Sequence, residues 1–366
     1  MLNALGFAAH PSSLRLILPI GLSFYTFQSV GYVIDVSRGV VKPCRDPVAF
    51  LAYMCFFPQL LAGPIARAAE QLPQFLSSRR FDYALAVDGC RQMLWGFFKK
   101  FAVADSCAVV VNATFDKAVD PSGFALLLAL VLYTAQIYCD FSGYSDLAIG
   151  CAKLFGIRLP RNFAFPYFVT NIADFWRRWH MSLMAWFKDY VYIPLGGSRV
   201  GRLRRIVNTY AVFLLSGLWH GASWTFVIWG AFHATCFLPR LLPRTSRRES
   251  PSSVVRSFLG WALTLLAVTV GWLVFRAPDV ATLVDWLVRM SHLDLGSVTL
   301  AGSGVRTAVP PLVLVFLVEW MGRRGEHALQ RLPMPRVARW VVYYALVFLT
   351  LYGMPSSGGD FIYGQF

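Results

Sequence analysis

The chain has 366 residues, of which 57% are hydrophobic and 14% charged, and its mean hydropathy is +0.53. Soluble domains usually carry about 25% charged residues, so this composition excludes an ordinary soluble domain and predicts a polytopic helical membrane protein. The net charge of +15 predicts contact with anionic lipid headgroups. Nucleic acid is not an expected partner, because the basic residues are scattered between apolar segments.

The first third of the chain mixes apolar runs with helix-breaking residues. Residues 16–34 are uncharged and long enough for one spanning helix. Residues 47–66 are also uncharged but contain Pro58 and Pro64, which predicts a broken or re-entrant element. Residues 83–104 carry several charges among apolar positions, so we expect a helix packed against the bundle or lying partly in the interface.

A second apolar segment, residues 123–139, predicts another spanning helix and leads directly to Asp140 and Asp146. Two carboxylates at this spacing are compatible with metal or acid–base chemistry. The alternative is a polar helix end that nearby hydroxyl groups hydrogen-bond. The sequence favours the polar helix end, because no histidine lies close by to complete a metal site.

Residues 171–192 are amphipathic and rich in Trp and Arg, which predicts either an in-plane helix at the level of the lipid headgroups or a helix packed in a wet cavity. On a continuous helix, His180 would share one face with Trp176 and Arg177. The following loop, residues 199–205 with the sequence RVGRLRR, is predicted to be cytoplasmic by the positive-inside rule.

The longest uncharged run, residues 206–239, contains His220 and His233. One helix of this length would reach about 50 Å, whereas the hydrocarbon core is about 30 Å thick, so the run is predicted to break between Gly217 and Ser223. His220 would then lie at a backbone break within the membrane. An ionisable group there is either functional or hydrogen-bonded to a neighbouring helix, and the small residues around it favour a functional site.

For His233 the favoured interpretation is packing, because a continuous helix would place it far round from His220. Three further apolar segments, 257–275, 307–321 and 340–359, are predicted to span, and 280–290 is amphipathic. The seven cysteines form no CxxC pair, so neither disulfides nor a metal site are expected. Without visible repeats, residues 1–366 are predicted to form one membrane domain.

Six ordered motifs resemble the membrane-bound O-acyltransferases, in particular their alginate O-acetyltransferase branch. The motifs are LPIGLSFYTFQ (18–28), FFPQLLAGPI (56–65), YCDFSGYSDLAIG (138–150), FWRRWHMSL (175–183), DYVYIPLGG (189–197) and SGLWHGASW (216–224). The resemblance implies an all-α membrane bundle with in-plane and re-entrant helices around a central tunnel. It also implies that His220 is the catalytic residue and that His180 is a second functional histidine.

Members of this branch usually carry more membrane helices before the first motif than the seventeen residues found here. We therefore expect N-terminal helices to be missing from this sequence. The C-terminal DFIYGQF resembles the usual ending of the family, so that side is expected to be complete.

The resemblance implies an enzyme of the bacterial inner membrane that transfers an acetyl group toward hydroxyl groups of an exported polysaccharide such as alginate. Acetyl-CoA or another acyl donor would be a substrate rather than a tightly bound cofactor. An extracytoplasmic SGNH-type acetyltransferase is the expected protein partner. Related branches that act in peptidoglycan O-acetylation or teichoic-acid D-alanylation leave the acceptor open.

Two other classes of function remain as alternatives, a membrane transporter and an inactive scaffold for exopolysaccharide export. A transporter is disfavoured because no inverted repeat is visible, and a scaffold because the WHG motif around His220 is intact. In the enzymatic interpretation, His220 removes the proton of the hydroxyl nucleophile. His180, Trp219 or Arg177 would stabilise the oxyanion, and the sequence does not choose among them.

The loop at residues 199–205 provides a test of orientation. A reporter fused at residue 202 is expected to lie in the cytoplasm, because four of the seven loop residues are arginines. Accessibility to a membrane-impermeant label in intact cells would contradict this orientation.

Overall fold

The computed structural model describes residues 21–117, 120–241, 254–294 and 302–354, and within these ranges the protein is helical, with no strand. The helices are α1 (Leu22–Ser37), α2 (Pro47–Met54), α3 (Phe57–Leu60), α4 (Ala68–Leu76), α5 (Tyr83–Phe97), α6 (Asp105–Asn112), α7 (Gly123–Leu154), α8 (Ile172–Arg178), α9 (Met181–Phe187), α10 (Arg202–His220), α11 (Trp224–Leu241), α12 (Val254–Arg276), α13 (Val280–His292), α14 (Gly302–Gly322) and α15 (Arg336–Gly353). This confirms the all-α class.

Three of the described helices are long and apolar enough to cross a membrane, namely Gly123–Leu154, Val254–Arg276 and Gly304–Gly322. They correspond to the predicted spans at 123–139, 257–275 and 307–321, and the protein is a multi-pass membrane protein. The predicted spans at 16–34 and 340–359 extend beyond the described residues. Residues 18–20 of the first motif and the C-terminal DFIYGQF also lie outside the described residues.

The central helix is α7, which contacts α3, α5, α6, α12 and α13. It does not end at Asp140 as predicted but continues for fourteen residues to Leu154. Both carboxylates are matched by lysines of the π-helical turn that follows α5: Lys100 lies 2.7 Å from Asp140, and Lys99 lies 2.7 Å from Asp146. Because these ion pairs neutralise the charges, α7 can carry two carboxylates inside the bundle.

The predicted break in residues 47–66 is present, because the chain forms only the short helices α2 and α3 before an irregular stretch. A cluster of buried side-chain amides supports it: Gln59 hydrogen-bonds Gln28 at 3.3 Å and Gln71 at 3.0 Å. Polar groups freed from a helix need such partners where water is excluded. The re-entrant course of this element and a central tunnel stay predictions.

The prediction that residues 171–192 form one continuous helix is wrong. The segment divides into α8 and α9, and the break falls at His180, whose φ of 43° lies in the left-handed region. His180 therefore does not share a helical face with Trp176 and Arg177. Asp174 forms an ion pair with Arg177 within α8.

The run from 206 to 239 breaks as predicted, after His220, where three residues separate α10 from α11. Gly217 is not part of the break but lies inside α10. A Cβ atom there would fall 2.2 Å from the carbonyl oxygen of Phe226, and one at Gly230 would fall 2.4 Å from that of Phe213. The two helices are thus antiparallel and touch backbone to backbone through glycines.

We expect Gly217→Ala and Gly230→Ala each to destabilise the protein by about 1–3 kcal/mol, because an added methyl group must push the two helices apart. The measurement is the apparent Tm of the detergent-solubilised protein, together with its level in membranes. Gly201→Ala is the matched control, because no atom lies within 4 Å of the Cβ position there. Equal Tm values for all three variants would contradict the close helix contact.

Candidate active site

His220 is the last residue of α10, and its side chain is buried. Its imidazole packs among aromatic rings, with centroid distances of 4.6 Å to Trp219, 4.9 Å to Phe275 and 5.4 Å to Trp229. Gly221 ends the helix, and a Cβ there would lie 2.6 Å from the ring of Phe226. The glycine after His220 is therefore required for space, and it lets α11 fold back beside the imidazole.

His180 stands at the turn between α8 and α9 and is 2% exposed. Its Nδ1 atom lies 3.1 Å from Oδ1 of Asn162, a completely buried residue of the loop that follows α7. The backbone of Asn162 also accepts a hydrogen bond from Met181 N–H, at 2.9 Å. One loop residue thus holds both the side chain and the backbone of the turn that carries His180.

A narrow cavity of about 10 Å³ brings the two predicted histidines together, although they are forty residues apart in sequence. That volume suits about one water molecule. The lining residues are Trp176, Trp179, His180, Leu183, Met184, Ser216, His220, Trp229 and Trp272.

Several buried polar atoms around this cavity have no hydrogen-bond partner in the described part of the chain. Buried polar groups nearly always have a partner, and exceptions often mark places where water or substrate binds. Those on residues lining the cavity are Nε2 of His180 and the indole N–H groups of Trp176, Trp229 and Trp272. The indole N–H of Trp219, which packs on both histidines, is a further one.

A larger cavity of about 620 Å³ lies next to the histidine cavity. Trp176 and Met184 line both cavities, so these side chains form the wall between them. Most of the lining of the larger cavity is apolar, with α8 and α9 on one side and α10 and α11 on the other. Its volume falls within the range of about 300–1,000 Å³ typical of small-molecule sites.

Three cationic side chains border this larger cavity, Arg177, Lys188 and Arg240. Arg177 pairs with Asp174. Burial by itself would raise the pKa of Asp174, but hydrogen bonds from Arg177 and Asn171 lower it on balance, so the carboxylate stays ionised. Arg240 donates to Asn171 at 2.9 Å.

Lys188 is exposed and makes no ion pair within the described ranges. It is therefore the cation at this cavity that is most available to an anionic ligand. Arg177, which was considered as an oxyanion donor, lines the larger cavity and not the histidine cavity.

His233 is fully buried but is not among the residues lining the histidine cavity. Its ring packs edge-on against Trp176 at 4.9 Å and Trp229 at 5.0 Å. A Cβ atom on Gly271 would fall 2.4 Å from its Nε2 atom, so α12 passes directly over the ring. This position is consistent with packing, although neither ring nitrogen has a partner among the described residues.

The model of the membrane-bound O-acyltransferase family matches residues 45–275, a range that includes His180, His220 and both cavities. The chain belongs to this family. The predicted family resemblance is confirmed.

The chain is similar to several curated O-acyltransferases of bacteria. It is 42% identical over 287 residues to the probable alginate O-acetylase AlgI of Azotobacter vinelandii, which covers 78% of this chain and 56% of the relative. It is 36% identical to the peptidoglycan O-acetyltransferase of Helicobacter pylori, covering 78% and 59%. It is 30% identical to the teichoic acid D-alanyltransferase of Bacillus subtilis, covering 62% and 60%.

The chain thus spans a little over half the length of these relatives. The part of the chain that the family model covers holds the two histidines and their aromatic surroundings.

Sequence reasoning found both histidines of this family member but missed Asn162 and most of the tryptophan wall. The sequence does not single out Asn162, because nothing in its own segment shows that it meets residues 180–182. The tryptophans were attributed to a membrane interface. The sequence does hold a partial signal for the tryptophan wall. A buried Trp needs a partner for its N–H group, and Trp176, Trp179 and Trp219 lie close in sequence to the two histidines.

Proposed function

We propose that the protein is an O-acyltransferase whose histidine cavity catalyses transfer of an acetyl group from a thioester donor to a hydroxyl group. The observation that carries the proposal is one buried cavity that contains His180 and His220 and adjoins a ligand-sized cavity bordered by cations. Family membership supports the reaction class, and no described group of His, Cys, Asp or Glu residues suggests an additional metal function.

In the proposed reaction, the acceptor hydroxyl oxygen attacks the thioester carbonyl carbon. A C–O bond forms, the C–S bond breaks, and the hydroxyl proton passes to His220 and then to the leaving thiolate. A positioned histidine suits this role, because the lone pair of a neutral imidazole nitrogen can accept the proton as the attack develops. The partnerless indole N–H groups would stabilise the negative charge that develops on the carbonyl oxygen.

The larger cavity is the proposed site of the acyl donor, acetyl-CoA or another thioester. Its apolar lining suits the body of a donor arm, and the cations at its border suit phosphate groups. The thioester would pass the wall formed by Trp176 and Met184 to reach the histidine cavity. The basic segment 199–205, whose last four residues form the start of α10, supports a cytoplasmic mouth for this cavity, because the adjacent Ser198 lines the cavity.

The proposed acceptor is an exported polysaccharide such as alginate, by similarity to the relative from Azotobacter vinelandii. An extracytoplasmic SGNH-type acetyltransferase would complete the transfer, and the protein would reside in the bacterial inner membrane. Peptidoglycan O-acetylation and teichoic-acid D-alanylation are the alternative destinations, by similarity to the other two relatives.

We expect His220→Ala to lower polymer acetylation by about 10²–10⁴-fold, because the proton acceptor is lost. His180→Ala should impair transfer less completely, since water can replace part of its function. His233→Ala should cost much less activity, because its ring packs outside the cavity. The assay is polymer acetylation in cells lacking the native gene.

The level of each histidine variant in membranes is measured in parallel. Near-normal acetylation by His220→Ala at matched protein level would overturn the assignment and the enzyme proposal. Equal loss of activity in all three variants, accompanied by equal loss of protein, would show that the histidines are structural.

The cations that border the larger cavity provide a separate test of donor binding. Lys188→Ala and Arg240→Ala should each raise the KM for acetyl-CoA roughly three- to tenfold with little change in kcat, because they remove charge-assisted contacts to phosphate. The effect should shrink at high salt. Kinetics are measured in inverted membrane vesicles.

Arg204→Ala is the matched control for these variants, since it removes an exposed arginine of α10 that does not line the cavity. An equal rise in KM in the control would mean that general surface charge is responsible. A fall in kcat without a change in KM would argue against donor binding at this cavity.

A further inference from the structure

We propose that Asn162 is a positioning residue that fixes the tautomer of His180, so that neutral His180 presents a lone pair, not an N–H group, to the acyl acceptor. The inference rests on the proposed acyl transfer. It assigns a function to a loop residue outside the helices that carry the histidines. It also implies that His180 orients the acceptor, while other residues of the cavity stabilise the oxyanion.

The orientation of the Asn162 amide follows from its neighbours. Oδ1 lies 3.3 Å from the backbone nitrogen of Ser182 and 2.9 Å from its hydroxyl, while Nδ2 lies 3.2 Å from Oγ of Ser145. A backbone N–H can only donate, so the atom that faces it must be the oxygen. The reverse orientation would set the amide NH₂ against that donor.

The state of His180 follows in turn. Its Nδ1 atom faces the same Oδ1 atom at 3.1 Å, and an amide oxygen can only accept. Nδ1 must therefore carry the hydrogen. In the neutral imidazole the second nitrogen, Nε2, is then left with its lone pair, and it has no partner among the described residues.

The surroundings of the ring leave the choice of tautomer to Asn162. Phe141 packs edge-on at 4.7 Å and Phe24 stacks at 6.3 Å, and neither offers a hydrogen-bonding group. Of the titratable groups, His220 lines the same cavity. No carboxylate or hydroxyl in the described ranges hydrogen-bonds the ring to favour the other tautomer.

This arrangement decides between two functions of His180, namely orienting the acceptor and donating a hydrogen bond to the oxyanion. A lone pair at Nε2 can accept a hydrogen bond from a second O–H group of the acceptor. That contact would hold the reacting hydroxyl, whose own proton passes to His220, toward the thioester. The lone pair cannot donate to an oxyanion. Stabilisation of the oxyanion therefore belongs to the N–H donors around the cavity, which include the indole groups of Trp229 and Trp272.

The experiment compares Asn162→Leu, Asn162→Asp and Ser145→Ala by transfer from acetyl-CoA in inverted vesicles as a function of pH. Asn162→Leu removes the acceptor of the Nδ1 hydrogen, and we expect kcat to fall roughly 10²-fold with little change in KM, since groups that orient a histidine typically matter at this level. Membrane level and apparent Tm are recorded for every variant.

Asn162→Asp keeps an acceptor at Nδ1 but adds a negative charge. We expect substantial activity to return, with the acid limb of the pH profile moved upward by about one unit, because a carboxylate favours protonated His180. Ser145→Ala removes only the partner of Nδ2 and should remain within about threefold of the wild type, with an unshifted profile. If Asn162→Leu does not reach the membrane, the profile of Asn162→Asp decides.

A double-variant test separates positioning from simple loss of structure. In a His180→Ala background, Asn162→Leu should add little further loss, because the residue through which it acts is gone. An unshifted acid limb in Asn162→Asp, or equal losses from Asn162→Leu with and without His180, would overturn the inference.

The same measurements keep this inference apart from the proposed function. Active wild type, inactive His220→Ala and an unshifted Asn162→Asp profile would reject the role of Asn162 alone. Wild type and His220→Ala that are equally inactive with acetyl-CoA and equally present in the membrane would reject both.

Discussion

The direct contact between the backbones of α10 and α11 determines where the site can lie. Glycines at positions 217 and 230 allow the two helices to approach until each glycine touches a carbonyl oxygen of the other helix. The chain must therefore reverse within three residues, directly after His220. The imidazole is left at the inner end of a helix, where α11 and α12 enclose it with aromatic rings. A looser pairing of the helices would carry His220 away from His180.

The charged groups beside α7 are arranged in ion pairs. Lys99 and Lys100 lie almost fully buried opposite Asp146 and Asp140, so an apparently amphipathic segment is in fact part of the interior. Such pairs add little net stability, because desolvation offsets much of the attraction. They are more informative about register, since a shift of one residue between α7 and the π-helical turn after α5 would leave buried charges unpaired.

The sequence predicted those features that depend on local composition. The uncharged run from 206 to 239 was too long for one span, and the break after His220 followed from length and glycine content. Features that depend on distant contacts were not predicted. The helix break at His180 is stabilised by hydrogen bonds from the turn to Asn162, eighteen residues earlier. No residue pattern between 171 and 192 predicts this break. In the same way, Asp140 was assigned to a helix end because its lysine partner lies in another segment.

The close packing of tryptophans around the histidines has a consequence for side reactions. A thioester placed beside a basic imidazole is open to hydrolysis wherever water is plentiful. A cavity with room for about one water molecule limits this loss, because an arriving acceptor hydroxyl occupies the space that a competing water would need. In the proposed reaction, the aromatic wall thus protects the activated acyl group from hydrolysis once the acceptor has entered, without any moving lid.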